Sequence, residues 1–140
     1  MAFRIEIHQD FPFPVEKLFA DLADDHGKLG RILGAPMKHL VDGKDSRAGV
    51  GSVRRVGPKL LGIEETVVTC TPNELVEYKI SKGSPMKNHL GRMMFSGKEG
   101  GSHLHYVITF EMKRGFRLLG PIIRKALHNG LAKGLARHAR

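Results

Sequence analysis

The chain has 140 residues, 41% of them hydrophobic, which is enough to bury one core and predicts a single domain over residues 1–140. The formal net charge is +9, and the single cysteine, Cys70, excludes an intrachain disulfide. No segment approaches the about eighteen uncharged apolar residues of a membrane span, and the charged N-terminus is unlike a secretory signal, so we expect a cytoplasmic protein.

The first part of the chain predicts a strand and two helices. Apolar and polar residues alternate over residues 2–10, which is the period of a half-buried strand. Pro14 suits the first turn of a helix, and residues 15–23 then carry apolar side chains at helical spacing. Asp24 is the predicted N-cap of a second, weaker helix that ends at Leu33.

From Pro36 onward the pattern becomes that of consecutive antiparallel strands. Pro72 and Asn73 suit the centre of a tight turn, and Gly100-Gly101 marks a second hairpin turn. The predicted strands are residues 37–42, 52–57, 63–71, 75–81, 87–98 and 103–113.

Residues 116–140 predict a long amphipathic C-terminal helix. Its apolar stripe recurs every four residues at Leu119, Ile123, Leu127, Leu131 and Leu135. The other side is cationic, because residues 113–140 include eight Lys or Arg and no Asp or Glu. A helix with one apolar side must pack on another surface, and we expect that surface to be the sheet.

This order of elements predicts an α+β helix-grip fold, β-α-α-β5/6-α, in which a curved antiparallel sheet wraps around the long C-terminal helix. Five segments resemble, in order, the landmarks of the polyketide cyclase/dehydrase and lipid-transport family of the START-like (SRPBCC, Bet v 1-like) superfamily. They are FPFPVEKLFADLADD, GVGSVRRV, IEETVVTCTPNELVEYKI, GRMMFSGKEGGSHLHYVITFEM and LLGPIIRKALHNGLAKGLARH. Many relatives carry a Trp after the second helix, whereas this chain has none.

The resemblance implies a cavity between the sheet and the C-terminal helix that binds, and in some relatives transports, a small hydrophobic molecule such as a lipid, polyketide or isoprenoid. For each candidate lining residue, ordinary core packing is the alternative. The loops 43–49 and 82–85 are the expected entrance. The candidate lining residues are Val67, Tyr78, Met93, Phe95, Tyr106 and Ile108 from the strands and Leu119, Ile123 and Leu127 from the helix.

Arg55 and Glu65 are the most informative polar candidates. Arg55 shares a strand face with Val53, and Glu65 shares one with Ile63 and Val67, so either could project among apolar side chains. A buried charge is costly unless it is paired. The hypothesis is therefore an Arg55–Glu65 ion pair or an anionic ligand headgroup at Arg55, and the alternative is that both side chains face solvent.

Signals for a metal or a catalytic site are weak. His103 and His105 share a strand face, with His89 on a neighbouring strand, but that face is opposite to the apolar one and should be solvated. No HExxH motif or cysteine cluster accompanies them, so we predict no metal site and no cofactor. A cyclase or dehydratase needs a proton donor and acceptor over a carbonyl, and no spacing singles out such a set.

Two alternatives to ligand binding stay open. One is a polyketide cyclase/dehydratase-like enzyme. The other is weak contact of the basic helix with an anionic membrane, where each Lys or Arg contributes about 1 kcal/mol. Aromatic residues are only 6% of the chain, so we do not expect a nucleic-acid partner, which would need stacking. The sequence does not distinguish a monomer from a homodimer.

Overall fold

The computed structural model describes residues 2–140, which form a seven-stranded antiparallel sheet in the order β1-β7-β6-β5-β4-β3-β2. Three α-helices accompany it, α1 (Val15–Ala23) and α2 (His26–Leu33) after β1, and α3 (Gly120–His138) at the end of the chain. The strands are β1 (Ala2–Phe11), β2 (Met37–Val41), β3 (Val53–Val56), β4 (Ile63–Thr71), β5 (Leu75–Lys82), β6 (Met86–Lys98) and β7 (Gly101–Met112). This arrangement confirms the predicted fold class.

The strands β2 to β7 form a meander in which each strand pairs with the next. β1 instead pairs with β7, so the first and last strands of the chain are neighbours. In this register Ile5 lies opposite Ile108, and Ile7 lies opposite Tyr106. The alternation of apolar and polar residues predicts each strand separately, but it does not predict that β1 pairs with β7.

The predicted N-cap of α2 is wrong by one residue. Oδ1 of Asp25, not of Asp24, accepts a hydrogen bond from the backbone N–H of Lys28 at 3.1 Å. The backbone N–H of Asp24 instead bonds to the carbonyl of Ala20 and closes the last turn of α1. Both residues are good caps by type, so only the backbone path decides between them.

The C-terminal helix begins later than residue 116. Residues 117–119 form a 3₁₀ turn, and α3 starts at Gly120 with Pro121 in its first turn, where proline is tolerated. A Cβ on Gly120 would lie 2.3 Å from Cζ of Phe3. The helix therefore starts in direct contact with β1, and a side chain at this position would separate the two.

The predicted apolar stripe of α3 is buried only at its C-terminal end. Leu131 and Leu135 are buried, whereas Ile123 and Leu127 are half-buried and pack against the edge of the core. Leu119, in the 3₁₀ turn, is 42% exposed, so its predicted inward position is wrong. The N-terminal half of α3 thus covers the sheet incompletely.

The core lies between the helices and one face of the sheet, here called the inner face. α1 packs on β6 and β7, α2 on β2, and α3 on β1 and α2. The inward orientation predicted for Met93, Phe95, Tyr106 and Ile108 is confirmed, because each is buried. Within residues 2–140, none of the helices is both long enough and apolar enough to cross a bilayer.

Candidate functional site

The inner face of β3 and β4 carries a buried ion pair between Arg54 and Glu65. Only 3% of Arg54 and 9% of Glu65 is exposed, and the two residues lie directly opposite each other. Nε of Arg54 donates to Oε1 of Glu65 at 2.9 Å, and Nη2 lies 2.9 Å from the same oxygen. Burial acts to lower the pKa of Arg54, but attraction to the Glu65 carboxylate and the hydrogen bond to it outweigh burial and raise the pKa. Arg54 therefore stays charged inside the protein.

The predicted partner of Glu65 was Arg55, and this is wrong. Arg55 lies opposite Glu64, on the other face of the sheet, and is partly exposed. The segment Val53-Arg54-Arg55-Val56 does not alternate, so its own sequence does not say which arginine faces inward. The pairing with β4 decides it. The inward position of Glu65 is confirmed.

Tyr78 on β5 and Tyr106 on β7 complete the cluster. Their hydroxyls are hydrogen-bonded to each other, and 3% and 2% of the two residues is exposed. Cζ of Arg54 lies 4.5 Å from the centroid of the Tyr78 ring, which is cation–π distance. Burial raises the pKa of both tyrosines, so both keep their protons at neutral pH. We call Arg54, Glu65, Tyr78 and Tyr106 the polar centre.

Gly91 on β6 makes the tyrosine contact sterically allowed. It lies between Tyr78 of β5 and Ile108 of β7 in the sheet register. A Cβ at this position would lie 2.2 Å from Cζ of Tyr78. The ring therefore passes directly over the glycine backbone to reach Tyr106, and any other residue would displace it.

A chain of hydrogen bonds leads from the surface to His26 on α2. Nε2 of His39 lies 2.7 Å from Oδ1 of Asp42, and Nδ1 of His39 lies 3.2 Å from Nδ1 of His26. When both rings are neutral, His39 donates to Asp42 and accepts from His26, which leaves Nε2 of His26 as an unprotonated acceptor. Burial, followed by the charge of Arg54, lowers the pKa of His26 to about 4.

His89 on β6 also faces inward, which contradicts the expectation that it shares a solvated face with His103 and His105. The register between β6 and β7 shifts between Lys87 and Leu90, and Asn88 has a φ of 51°. This irregularity turns His89 to the inner face, where it is buried. Its Nδ1 accepts a hydrogen bond from the N–H of Ile80 at 3.1 Å, and burial lowers its pKa to about 4.

Three buried side-chain atoms have no hydrogen-bond partner among residues 2–140: Nε2 of His26, Oγ of Ser52 and Nε of Arg55. Arg55 lies on the outer face of the sheet, so the other two are the ones relevant to the polar centre. Ser52 is completely buried and precedes Arg54 by two residues, which places both on the same side of the chain. Buried polar groups are almost always satisfied in proteins, so these atoms mark positions where a bound molecule or water would donate or accept.

Apolar side chains surround the polar centre. Val67, Met93, Phe95 and Ile108 are all buried in the same core cluster. The open depressions on the surface lie elsewhere: one of about 820 Å³ is lined by residues 114–119 and another of about 350 Å³ by Phe3, Lys87, Glu111, Met112 and Arg117. Leu119 thus lines an external depression. In this conformation the polar centre is covered.

The sequence profile of the family described as "Polyketide cyclase / dehydrase and lipid transport" matches residues 2–140. The chain belongs to this family. Membership covers the whole described length, so the polar centre and the three helices all lie within the matched region. No curated protein is significantly similar to the chain in sequence.

Solved structures similar to this polyketide cyclase/dehydrase and lipid-transport family member share its fold at low identity. Ara h 8.0201 has a TM-score of 0.66 and 17% identity, covering 99% of this chain and 98% of that one. Major latex-like protein 151 from Panax ginseng has a TM-score of 0.72 and 12% identity, covering 100% and 99%. DynU16, from the dynemicin biosynthetic locus, has a TM-score of 0.61 and 11% identity, covering 96% and 46%. The fold is Bet v 1-like.

In this family member, the polar centre and His26 together offer three kinds of interaction to a polar group. Arg54 offers a permanent positive charge, the protonated tyrosine pair offers a hydroxyl donor, and Nε2 of His26 offers an acceptor. Glu65, Tyr78 and Tyr106 were predicted from the sequence, whereas Arg54 and His26 were not. Their only sequence signals are a non-alternating Arg-Arg pair and a histidine at a helix start, and neither is specific.

Proposed function

We propose that this protein binds a small, mainly apolar molecule carrying one anionic, carbonyl or hydroxyl group, between the inner face of the sheet and α3. The observation that carries this proposal is the buried Arg54–Glu65 pair among apolar side chains. Replacing such a pair by hydrophobic residues is often neutral or stabilising, so its presence needs a reason other than stability. Recognition of a ligand's polar group is a sufficient reason.

The surroundings of the polar centre support the same proposal. Val67, Met93, Phe95 and Ile108 supply the apolar wall that pockets for small molecules use, and a few fixed polar groups orient the ligand. The unpartnered Oγ of Ser52 supplies a further polar contact. Binding requires the covered core to open.

The incompletely packed half of α3 is the proposed route of entry. Ile123 and Leu127 are only half-buried, and the open depression at residues 114–119 lies at the start of the helix. The backbone N–H of Lys113 bonds to the carbonyl of Pro85 at 2.7 Å, which joins this region to the predicted entrance loop 82–85. An outward movement of the first turns of α3 would expose the core beside the polar centre.

The intrinsic tyrosine fluorescence of the protein can be used to test ligand binding. The chain has no Trp and two Tyr, and both tyrosines belong to the polar centre, so tyrosine fluorescence reports directly on it. Native mass spectrometry of the purified protein comes first, with extraction of any adduct. A titration with the anionic apolar dye 8-anilinonaphthalene-1-sulfonate follows.

Adjacent arginines give a matched pair of variants for the dye titration. We expect Arg55→Leu to bind the dye like wild type, because Arg55 is on the outer face. Arg54→Leu/Glu65→Leu, which removes both buried charges together, should weaken binding about tenfold or more, as loss of a buried charge-assisted contact does. Equal affinity in all three proteins, or no adduct and no dye binding, would contradict the proposal.

A second candidate is a polyketide cyclase/dehydratase-like activity, and the observation that favours it is a buried proton donor and a buried proton acceptor that both feel the charge of Arg54. The tyrosine pair keeps a donatable proton, and Nε2 of His26 is free to accept one. An aldol-type ring closure needs both groups beside a carbonyl. The likeness to DynU16, from a biosynthetic locus, supports testing it. The test is incubation with a poly-β-ketone thioester, where a cyclised product must disappear with Tyr106→Phe and His26→Asn.

A third candidate is weak contact with an anionic membrane, favoured by exposed apolar residues beside basic ones. Leu118 is 91%, Ile122 65% and Leu60 95% exposed. The 3₁₀ turn at residues 59–61 lies next to the entrance loop 82–85, because a Cβ placed on Gly83 would be 2.4 Å from the carbonyl oxygen of Gly62. The entrance loop in turn contacts the segment that leads into α3. These apolar tips with nearby Lys and Arg suit an interfacial surface.

Vesicle sedimentation tests the membrane candidate. We expect binding to phosphatidylserine vesicles at low salt, none to phosphatidylcholine vesicles, and loss of binding as the salt concentration rises. Leu118→Ser/Ile122→Ser should reduce the bound fraction, because it removes two exposed apolar side chains. Binding that ignores lipid charge would contradict this candidate.

A further inference from the structure

The outer face of β1 and β7 carries a cluster of three histidines and two carboxylates. His8 lies directly opposite His105 in the register of the two strands, and His103 precedes His105 by two residues on the same side. Glu6 and Asp10 lie on either side of His8 along β1, also at a spacing of two residues. All five side chains therefore project from one patch of the sheet, away from the polar centre.

Three of these side chains bring one ligand atom each to a common point. Nε2 of His105 lies 2.5 Å from Oε2 of Glu6, and Nε2 of His8 lies 3.8 Å from the same oxygen. The potential ligand atoms of Glu6, His8 and His105 all lie within 4.8 Å of one another. A tetrahedral zinc ion with bonds of about 2.0–2.2 Å separates its ligand atoms by about 3.4 Å, so small rotations of these side chains suffice.

The remaining two residues hold His8 in the tautomer that a metal requires. Nδ1 of His8 lies 3.0 Å from Nε2 of His103, whose Nδ1 lies 2.6 Å from Oδ1 of Asp10. With Asp10 accepting from His103 and His103 accepting from His8, the lone pair of His8 is on Nε2, facing Glu6. A histidine ligand commonly donates its other N–H to such a partner, which fixes its ring and raises its basicity.

We propose that Glu6, His8 and His105 form a binding site for a divalent transition metal of the zinc type, with His103 and Asp10 as positioning residues. Two imidazoles and one carboxylate are ligands that suit zinc, and a water would occupy the fourth position. In the metal-free protein the N–H on Nε2 of His105 donates to Glu6, so on metal binding His105 carries its proton on Nδ1 instead, which frees Nε2 as a ligand. Two positive neighbours compete, since Arg4 lies 3.3 Å from Oε2 of Glu6 and Lys98 lies 2.8 Å from Asp10.

The site is accessible and would link distant parts of the chain. The side chains of His8, Glu6 and His105 are 56%, 42% and 29% exposed, so a metal can reach them from solvent. A bound ion would join the first strand to the last, and metal binding to the folded state alone should raise the unfolding temperature. The sequence prediction of no metal site considered His89, His103 and His105. The fold keeps His103 and His105 on one face, turns His89 to the inner face, and brings Glu6 and His8 of β1 beside His105.

The test is calorimetric titration of the untagged full chain with zinc chloride at pH 7.5. We expect one zinc per chain, a loss of affinity of at least a hundredfold for His105→Asn or His8→Asn, and a loss of about ten- to a hundredfold for the positioning variant His103→Asn. The matched control is His128→Asn, an exposed histidine on α3, which should bind like wild type. These are surface residues, and circular dichroism checks that each variant is folded.

Two further readouts separate a specific site from adventitious binding. Zinc should raise the unfolding temperature of wild type and of the His128→Asn control but not that of His105→Asn. Binding should weaken as the pH falls toward 5, because imidazole ligands must lose their protons. Zinc affinity that is unchanged in both His8→Asn and His105→Asn, or absence of binding to wild type at millimolar zinc, would overturn the proposal. Neither result bears on the ligand site of the inner face.

Discussion

The buried Arg54–Glu65 pair allows a stringent test of the site through a double-mutant cycle. The cycle consists of Arg54→Leu, Glu65→Leu and the double variant. Leucine removes the charge and leaves an apolar side chain in the core. Arg54 on β3 and Glu65 on β4 lie directly opposite each other and form an ion pair. Each single variant therefore removes one charge and leaves the other buried without its partner.

The magnitudes follow from that geometry. A single variant leaves an unpaired buried charge and should lower the free energy of unfolding by about 3–5 kcal/mol. Arg54→Leu also loses its cation–π contact with Tyr78, worth about 0.5–2 kcal/mol. The double variant should lie within about 1 kcal/mol of wild type or exceed it, because apolar replacement of a buried pair is often neutral or stabilising. The coupling between the two residues should therefore reach at least about 3 kcal/mol.

Urea unfolding at pH 7 provides the assay, followed by far-ultraviolet circular dichroism and by the fluorescence of Tyr78 and Tyr106. Arg55→Leu, on the outer face of the same strand, is the matched control and should cost less than about 1 kcal/mol. If either single variant is as stable as this control, the charges are not buried as described. If the two single costs simply add in the double variant, the residues do not depend on each other and the argument fails.

Three further predictions concern stability. His26 and His89 have their pKa lowered to about 4, against 6.5 for an ordinary histidine, so the unfolded chain binds more protons between these values. The contribution of the two neutral histidines to the free energy of unfolding is complete above pH 6.5 and is lost as the pH falls to about 4. The loss is at most about 3 kcal/mol for each histidine. A free energy of unfolding in urea that does not change over this pH range would contradict the prediction. Gly91→Ala should cost about 1–3 kcal/mol and change the tyrosine fluorescence, because its Cβ occupies the space of the ring; an unchanged spectrum would refute the contact. Leu135→Ala, at a fully buried position, should cost about 2–5 kcal/mol, whereas Leu118→Ala should stay within about 0.5 kcal/mol, and thermal unfolding of both variants checks the difference.

Local periodicity was sufficient to predict most elements. The predicted strand at residues 63–71 and the predicted helix at residues 15–23 coincide with β4 and α1. Each depends on side-chain spacing within one segment, which is visible in the sequence. The start of α3 was misplaced because the leucine stripe continues through residues 117–119, although Pro121 already restricts where a helix can begin.

The candidate site was predicted only in part. Alternation in β7 is regular, so the inward position of Tyr106 followed from the sequence, and burial agrees with it. Alternation fails at Arg54-Arg55, and the choice of the inward arginine came from the register with Glu65. The inward turn of His89 came from an irregularity in the pairing of β6, for which Asn88 is a weak signal. Whether these residues bind a ligand stays a prediction.

Short-range patterns in the sequence are enough to predict most strands and helices, their order, and the family to which the chain belongs, because each pattern repeats within a single segment. The tertiary structure alone decided which charged and titratable groups meet. His8 and His103 are 95 residues apart and touch only because β1 pairs with β7. Such contacts depend on strand register and on positions such as Gly91, where the absence of a side chain leaves room for a neighbour. Neither feature produces a periodic pattern in the sequence.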